Sequence, residues 1–215
     1  MKIGILGSGD VGRALGSGFA ANGHDVRIGT RDVKKKEVAA WLKSAKGKVS
    51  AGSFAETAAH GDVVLLCCLG EAAESVVDLA GPRNFGSKVV IDVTNPLDFS
   101  KGMPPGLFVG TSDSLAERVQ RKLPKAKVVK CFNIVSNQTM IAPKMKEGMP
   151  TMLVAGDDAD AKRDVGEILK EFGWDDVIDV GDLAGARWLE AWVPLWVRIC
   201  RATGSWTVAM KVLRR

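Results

Sequence analysis

Residues 2–32 read KIGILGSGDVGRALGSGFAANGHDVRIGTRD, and the fold follows from how that stretch divides. Lys2–Leu6 is a short apolar run with isoleucines, as in a strand buried on both faces of a parallel sheet. Gly7, Gly9 and Gly12 then stand in the spacing GxGxxG, at a turn into a helix. The first glycine permits the tight turn, the second lets a pyrophosphate approach the backbone, and the third lets the helix pack close to the strand. Val11, Ala14, Leu15, Gly18 and Phe19 recur at i, i+3, i+4, i+7 and i+8 and give the helix one apolar face. Asn22-Gly23 stops it, and Asp25–Gly29 is a second strand. Strand, glycine turn, helix and second strand in this order predict a dinucleotide site, with the helix N-terminus facing the phosphates.

The end of the second strand predicts which dinucleotide. An NAD site places Asp or Glu there to hold the ribose 2′-OH. Here the end reads Gly29-Thr30-Arg31-Asp32, followed by Lys34-Lys35-Lys36. The hydroxyl of Thr30 and the planar fork of Arg31 suit a 2′-phosphate, and Lys35 with its neighbours adds positive potential. The competing reading of the lysines is a solvated helix start, and Asp32 is the residue that would turn toward a ribose. The charge pattern favours NADP(H) over NAD(H).

Further along, strands alternate with helices, the pattern of a doubly wound, mostly parallel Rossmann sheet. Helices are expected over Val33–Ala45, Phe54–His60, Glu71–Ala80 and Thr111–Leu123, the last with Ser114 and Glu117 spaced as a capping box. Strands are expected at Lys48–Ser50, Asp62–Cys68, Lys88–Val93 and Lys127–Phe132. The unbroken run DVVLLCC is a central strand buried on both faces. In this strand order its C-terminal end, Cys68, Leu69 and Gly70, lines the cofactor crevice opposite Gly9. Thr94-Asn95-Pro96-Leu97 closes the next strand and is placed to touch a nicotinamide ribose or amide. Asp98–Gly110, with two prolines and three glycines, is expected to be a mobile loop on the same face. The strand ending at Phe132 leads into Asn133-Ile134-Val135-Ser136-Asn137.

Residues 1–140 make the NADP-binding unit. A boundary falls in Ile141–Pro150, and residues 141–215 are expected to form a small C-terminal α/β part that carries the acceptor site and a dimer contact. That part holds strands at Thr151–Ala155 and Val177–Val180, a helix at Asp158–Phe172 and a long helix from Asp182 to about Thr203. Trp188, Trp192 and Trp196 lie on one face of the long helix. Core or subunit packing is favoured for them over a wall beside a redox ring. Pro194 is expected to kink the helix.

Composition narrows the classes. The net charge of +5 comes from 30 basic and 25 acidic residues. No basic stripe interleaved with aromatics supports nucleic-acid binding, and an anionic cofactor accounts for the cluster at Arg31–Lys36. No apolar run approaches the roughly twenty residues of a membrane span. The chain opens directly on a strand and glycine loop, so no signal peptide is expected. Cys67, Cys68, Cys131 and Cys200 lack metal spacing and read as reduced thiols of a cytoplasmic protein. There is no tyrosine, and His24 and His60 lie away from the nicotinamide end. No catalytic acid or base is evident, and hydride transfer between two flat rings depends more on alignment than on one.

Four segments, GSGDVG, GTRD, VIDVTNPL and VVKCFNIVS, together with the C-terminal ARWLEAWVPLWVRICRATG, resemble the NADP-dependent oxidoreductases of the 8-hydroxy-5-deazaflavin coenzyme. The cytosolic reductase domains of six-transmembrane ferric reductases are similar to the same family. The resemblance spans nearly the whole chain. It implies a compact homodimeric enzyme. By that resemblance Thr30 and Arg31 hold the 2′-phosphate, Ser8, Asp10 and Val11 contact the pyrophosphate, and the end of the fourth strand and the Asn95-Pro96 segment flank the nicotinamide. Asn133, Val135 and Ser136 stand where the acceptor is held. The deazaflavin enzymes carry a histidine and a proline where this chain has Asn133 and Ser136, a version more like the ferric reductase branch. The leading expectation is hydride transfer between NADP(H) and a deazaflavin or flavin acceptor, the latter FMN or FAD. Reduction of a small imine or keto substrate, and a non-catalytic NADP(H) sensor, are the competing readings.

Overall fold

A computed structural model describes residues 1–215. Its main sheet has the strands β1 (Lys2–Leu6), β2 (Asp25–Gly29), β3 (Lys48–Gly52), β4 (Val63–Leu66), β5 (Val89–Asp92), β8 (Lys127–Lys130), β9 (Met152–Gly156) and β10 (Val177–Asp179). They run in the order β10-β9-β8-β5-β4-β1-β2-β3. Every pairing is parallel except β8 with β9. The chain reverses at that junction, so β9 and β10 extend the same sheet in the opposite direction. Strand direction within the C-terminal part is a feature that composition and spacing did not specify.

Period-two alternation divides the core into two layers. Ile3, Ile5, Val63, Leu65, Val89, Ile91 and Val129 face one side, under α1 (Asp10–Ala21) and α6 (Ala159–Glu171). Leu6, Val64, Leu66, Val90 and Val128 face the other, under α3 (Phe54–His60), α4 (Ala73–Ala80) and α5 (Leu115–Lys122). Strands β4 and β5 are buried at all positions, as their apolar runs require. Helix α2 (Lys36–Ser44) flanks β3, and α7 (Ala186–Thr203) runs without interruption through Pro194. No helix is long and apolar enough to cross a membrane.

Among the elements that differ from expectation, three do so for a clear local reason. Helix α2 begins at Lys36, because the Asp32 carboxylate accepts from the Lys34 N–H at 2.8 Å and closes a turn first. Helix α5 begins at Leu115, because the hydroxyl of Ser114 caps it by accepting from the Glu117 N–H at 3.1 Å. The segment after β5 is not a bare loop. It forms a short antiparallel pair of β6 (Leu97–Asp98) and β7 (Gly106–Leu107), and Arg201 of α7 donates to the Met103 carbonyl at 3.0 Å.

Candidate functional site

A cleft of about 480 Å³ opens at the C-terminal ends of β1, β2 and β4. Gly7, Ser8, Gly9, Asp10, Val11, Thr30, Arg31, Lys35, Cys68 and Leu69 all line it. Gly7 has φ +134°, and a Cβ there would lie 2.4 Å from the Cys67 carbonyl oxygen. A Cβ on Gly12 would lie 2.1 Å from the Gly7 oxygen, so Gly12 sits beneath the turn and not in the cleft wall. A Cβ on Gly9 meets nothing within 4 Å. The backbone above the turn is therefore open, and the N–H groups of Asp10, Val11 and Gly12 bond to no other group of the chain. Open backbone, free N–H groups and the positive end of α1 fit the phosphates of a dinucleotide.

The mouth of the cleft carries the charge. Thr30 is buried, and its hydroxyl accepts from Ser8 Oγ at 3.2 Å and from the Asp32 N–H at 3.3 Å. This chain of bonds joins the glycine turn to the end of β2. Arg31 and Lys35 are exposed, and neither side chain has a partner in the molecule. The Asp32 carboxylate accepts from its own turn at Lys34, leaving the two cations facing the mouth. A dianionic 2′-phosphate fits this set better than a neutral 2′-hydroxyl.

The thiols in the cleft are not nucleophiles. Burial, with the negative charge of Asp92 adding to it, pushes the Cys68 thiol up to about 12. The Cys67 thiol is likewise pushed well above its ordinary value by burial, by Cys68 and by Asp92. A thiol so raised stays protonated and unreactive near neutral pH.

Asn95, Pro96 and Leu97 lie beyond the end of this cleft. Asn95 is half-buried, Pro96 buried and Leu97 half-buried. The loop after β4 presses directly on this turn, since a Cβ on Gly70 would lie 1.9 Å from the Asn95 oxygen. Asn95 and Asn133 form an amide pair. Asn95 Nδ2 donates to the Asn133 carbonyl at 3.0 Å, and Asn133 Nδ2 donates to Asn95 Oδ1 at 2.9 Å and to the Leu189 carbonyl at 3.0 Å. Two acceptors fix the Asn133 amide in this orientation, and its Oδ1 is left buried with no partner. The loops after β5 and β8 are thus tied to each other and to α7. Of the other acceptor candidates, Val135 packs into the apolar core, and half-buried Ser136 lies 3.4 Å from the Thr139 hydroxyl.

Beneath this wall lies a cluster that sequence reasoning missed. Asp92 ends β5 and Lys130 ends β8, opposite each other in register and both fully buried. Lys130 Nζ lies 3.0 Å from Asp92 Oδ2, 2.8 Å from Glu190 Oε1 on α7 and 2.6 Å from the Thr94 carbonyl. Asp92 Oδ1 accepts from the Thr94 N–H and hydroxyl at 2.9 and 2.6 Å. Glu190 accepts from the N–H groups of Leu115 and Ala116, the first turn of α5. Burial depresses Lys130, but the two carboxylates outweigh it and hold its ammonium above the ordinary range. The available signal was a charged residue at an inward position of two apolar strands, VVID and KVVK.

The tryptophans at i, i+4 and i+8 have three different fates. Trp188 is 66% exposed. Trp192 packs on the core with its Nε1 buried and unpaired. Trp196 donates to the Val208 carbonyl at 2.7 Å and stacks edge-on with Trp206. Both histidines sit at the N-terminal ends of strands, away from the cleft. His24 lies 2.9 Å from Glu171, and His60 lies 3.2 Å from the Asp25 carbonyl oxygen.

The model of the family "NADP oxidoreductase coenzyme F420-dependent" matches residues 2–96. The chain is 31% identical over 210 residues to the F420-dependent NADP reductase of Methanothermobacter thermautotrophicus, covering 93% of this chain and 89% of that protein. It is 31% identical over 208 residues to the metalloreductase STEAP3 of Rattus norvegicus, where 96% of this chain spans only 38% of the relative. The crystal structure of a candidate F420-dependent NADP reductase of Arthrobacter sp. FB24 superposes with a TM-score of 0.94 at 38% identity, over the full length of both chains.

Proposed function

The chain belongs to the F420-dependent NADP oxidoreductase family, and from that premise we propose that it moves a hydride between NADP(H) and a deazaflavin or flavin ring. The observation that carries the reading is the cleft mouth, where Arg31 and Lys35 stand unpaired beside Thr30, above a helix start with free N–H groups. When bound, the reduced nicotinamide supplies a proton with two electrons from C4, and the acceptor's second hydrogen arrives as a proton from solvent.

The chain's own residues bind and orient. Gly7, Ser8, Gly9, Asp10, Val11 and Gly12 shape the pyrophosphate cradle. Thr30, Arg31 and Lys35 receive the 2′-phosphate. Cys68, Leu69, Asn95, Pro96 and Leu97 bound the nicotinamide end. Asn133 and Ser136 border the acceptor, with Val135 supporting them from the core. No side chain is assigned as catalytic acid or base, since neither histidine reaches this end of the sheet. Residues 1–140 hold the nucleotide in this reading, and 141–215 complete the acceptor side and a homodimer contact. Exposed Trp188 and Leu195 on α7 favour that contact.

The test is to bind NADPH and then add coenzyme F420, FMN and FAD in turn, following the loss of nicotinamide absorbance. Fast oxidation with F420 alone assigns the deazaflavin. Oxidation with FMN or FAD assigns a flavin. Tight binding of NADPH with no turnover on any of the three overturns the hydride-transfer reading.

A further inference from the structure

We infer that the buried Asp92–Lys130–Glu190 cluster sets the charge beneath the nicotinamide end of the cleft, so that the protein favours the oxidised, cationic ring over the reduced, neutral one. The inference rests on the proposed NADP(H) reading and goes beyond it, from which nucleotide binds to which redox state is preferred.

The charge count comes first. Both Asp92 and Glu190 receive only donors. The ammonium of Lys130, the N–H and hydroxyl of Thr94 and the N–H groups of Leu115 and Ala116 account for all their bonds. Both oxygens of Glu190 meet only N–H groups, Asp92 Oδ2 meets only the Lys130 ammonium, and Asp92 Oδ1 accepts from the Thr94 N–H and hydroxyl, so the donors match two carboxylates. Lys130 is held protonated by the same two carboxylates. Two anions and one cation leave one negative charge unbalanced among side chains of 0–2% exposure. The nearby Arg187 contributes no balance, because it is taken up by Glu117 at 2.6 and 2.8 Å. The first turn of α5 holds Glu190 through partial charges only.

Position comes second. Thr94 is bonded to Asp92 through its N–H and hydroxyl, and to Lys130 through its carbonyl. The next residue, Asn95, touches the loop that ends the cleft. The charge therefore lies one residue behind the wall. Burial is the main cause that raises the thiols of Cys67 and Cys68, both of which line the cleft, and the charge of Asp92 adds to it, so the field of Asp92 reaches that space.

Cost comes third. A buried ion cluster is commonly no more stable than apolar residues of the same volume. An Asp–Lys pair alone would have left the site neutral, so the third charge is what the cluster adds. A fixed charge aimed at where positive charge develops favours the oxidised state without reorganisation.

The test is to measure the dissociation constants of NADP⁺ and NADPH separately by calorimetry for the wild type, Glu190→Gln and Asp92→Asn, each first checked for a cooperative thermal transition. A unit charge acting across roughly 10 Å of protein interior at an effective dielectric of about 20 corresponds to about a ten- to twentyfold change in a cation's affinity. Either folded variant should therefore lose that factor for NADP⁺ relative to NADPH, which is a shift in the potential of the bound couple. A merely structural role would weaken both nucleotides in parallel, and that result overturns the inference. If neither variant folds, the wild type decides. NADP⁺ bound at least as tightly as NADPH supports the cluster's role, and NADPH bound more than tenfold tighter overturns it. Failure of the wild type to bind either nucleotide would instead break the NADP(H) reading.

Discussion

The two ends of the proposed nucleotide site are built in opposite ways. The phosphate end is backbone. A turn at φ +134°, a helix start with free N–H groups and a close glycine contact all arise within residues 2–12. The proposed nicotinamide end is side chain. Its bonds join β5, β8, α5 and α7, with partners 36 to 75 residues apart. A phosphate is recognised by local geometry that a short peptide can encode. The wall at the other end exists only after the sheet and α7 have come together. Damage at the first end should therefore show chiefly in binding, and loss of the buried cation at the second chiefly in the stability of the whole fold.

The sharpest way to break this contrast is Lys130→Met, which leaves Asp92 and Glu190 buried without their cation. It should destabilise the protein by about 3–5 kcal/mol, read as a lower urea midpoint. A loss below about 1 kcal/mol would mean that the site takes in water and the wall is not integral to the fold. Gly12→Ala comes next. Its Cβ would collide with the Gly7 oxygen at 2.1 Å, for a cost of about 1–3 kcal/mol. Nucleotide affinity should fall with it, because the glycine turn must shift. Unchanged affinity would detach the turn from the site.

Arg31→Ala sharpens the contrast within the cleft. The side chain is exposed and unpartnered, so thermal stability should hold. NADPH affinity should fall roughly 10- to 100-fold while NADH affinity is unchanged, and equal losses would sink the 2′-phosphate assignment. The smallest effect belongs to neither end. The hydrogen bond from Arg121, with a further one from Arg118, holds the Asp113 carboxyl down to about 2 from its ordinary 3.8 against an opposing cost of burial. The folded state binds this proton less readily than the unfolded one. The contribution is therefore complete above pH 3.8 and is lost as pH falls through about 2. Its size should be about 1 kcal/mol or less after solvent screening. Thermal scans of Asp113→Asn against the wild type should differ near neutral pH and converge at the acid end.

How much was legible in the sequence follows the same division. GxGxxG, the helix stripe and the Thr30-Arg31 end of β2 could be read because each feature lies within a few residues of its partner. The fourth and fifth strands could be read because burial on both faces leaves an unbroken apolar run. Asp92 and Lys130 were visible as charges in such runs, and the strand order makes β5 and β8 neighbours. Glu190 was not legible, since helix periodicity says nothing about which loop a helix will meet. The reversal at β9 was hidden for a similar reason, because an apolar strand reads alike in either direction. Even a clear spacing can underdetermine the outcome. Trp188, Trp192 and Trp196 share one stripe, yet their surroundings are set by solvent, the core and the chain's own C-terminal segment.

The placement of Arg31 and Lys35 has an evolutionary consequence. Thr30 is bonded into the glycine turn, but the two cations lean on nothing and nothing leans on them. Their replacement would disturb no packed neighbour and no strand pairing. Descendants of this chain could therefore exchange one cellular pool of reducing equivalents for another by drift at two surface positions, while the turn and the wall behind them stay as they are.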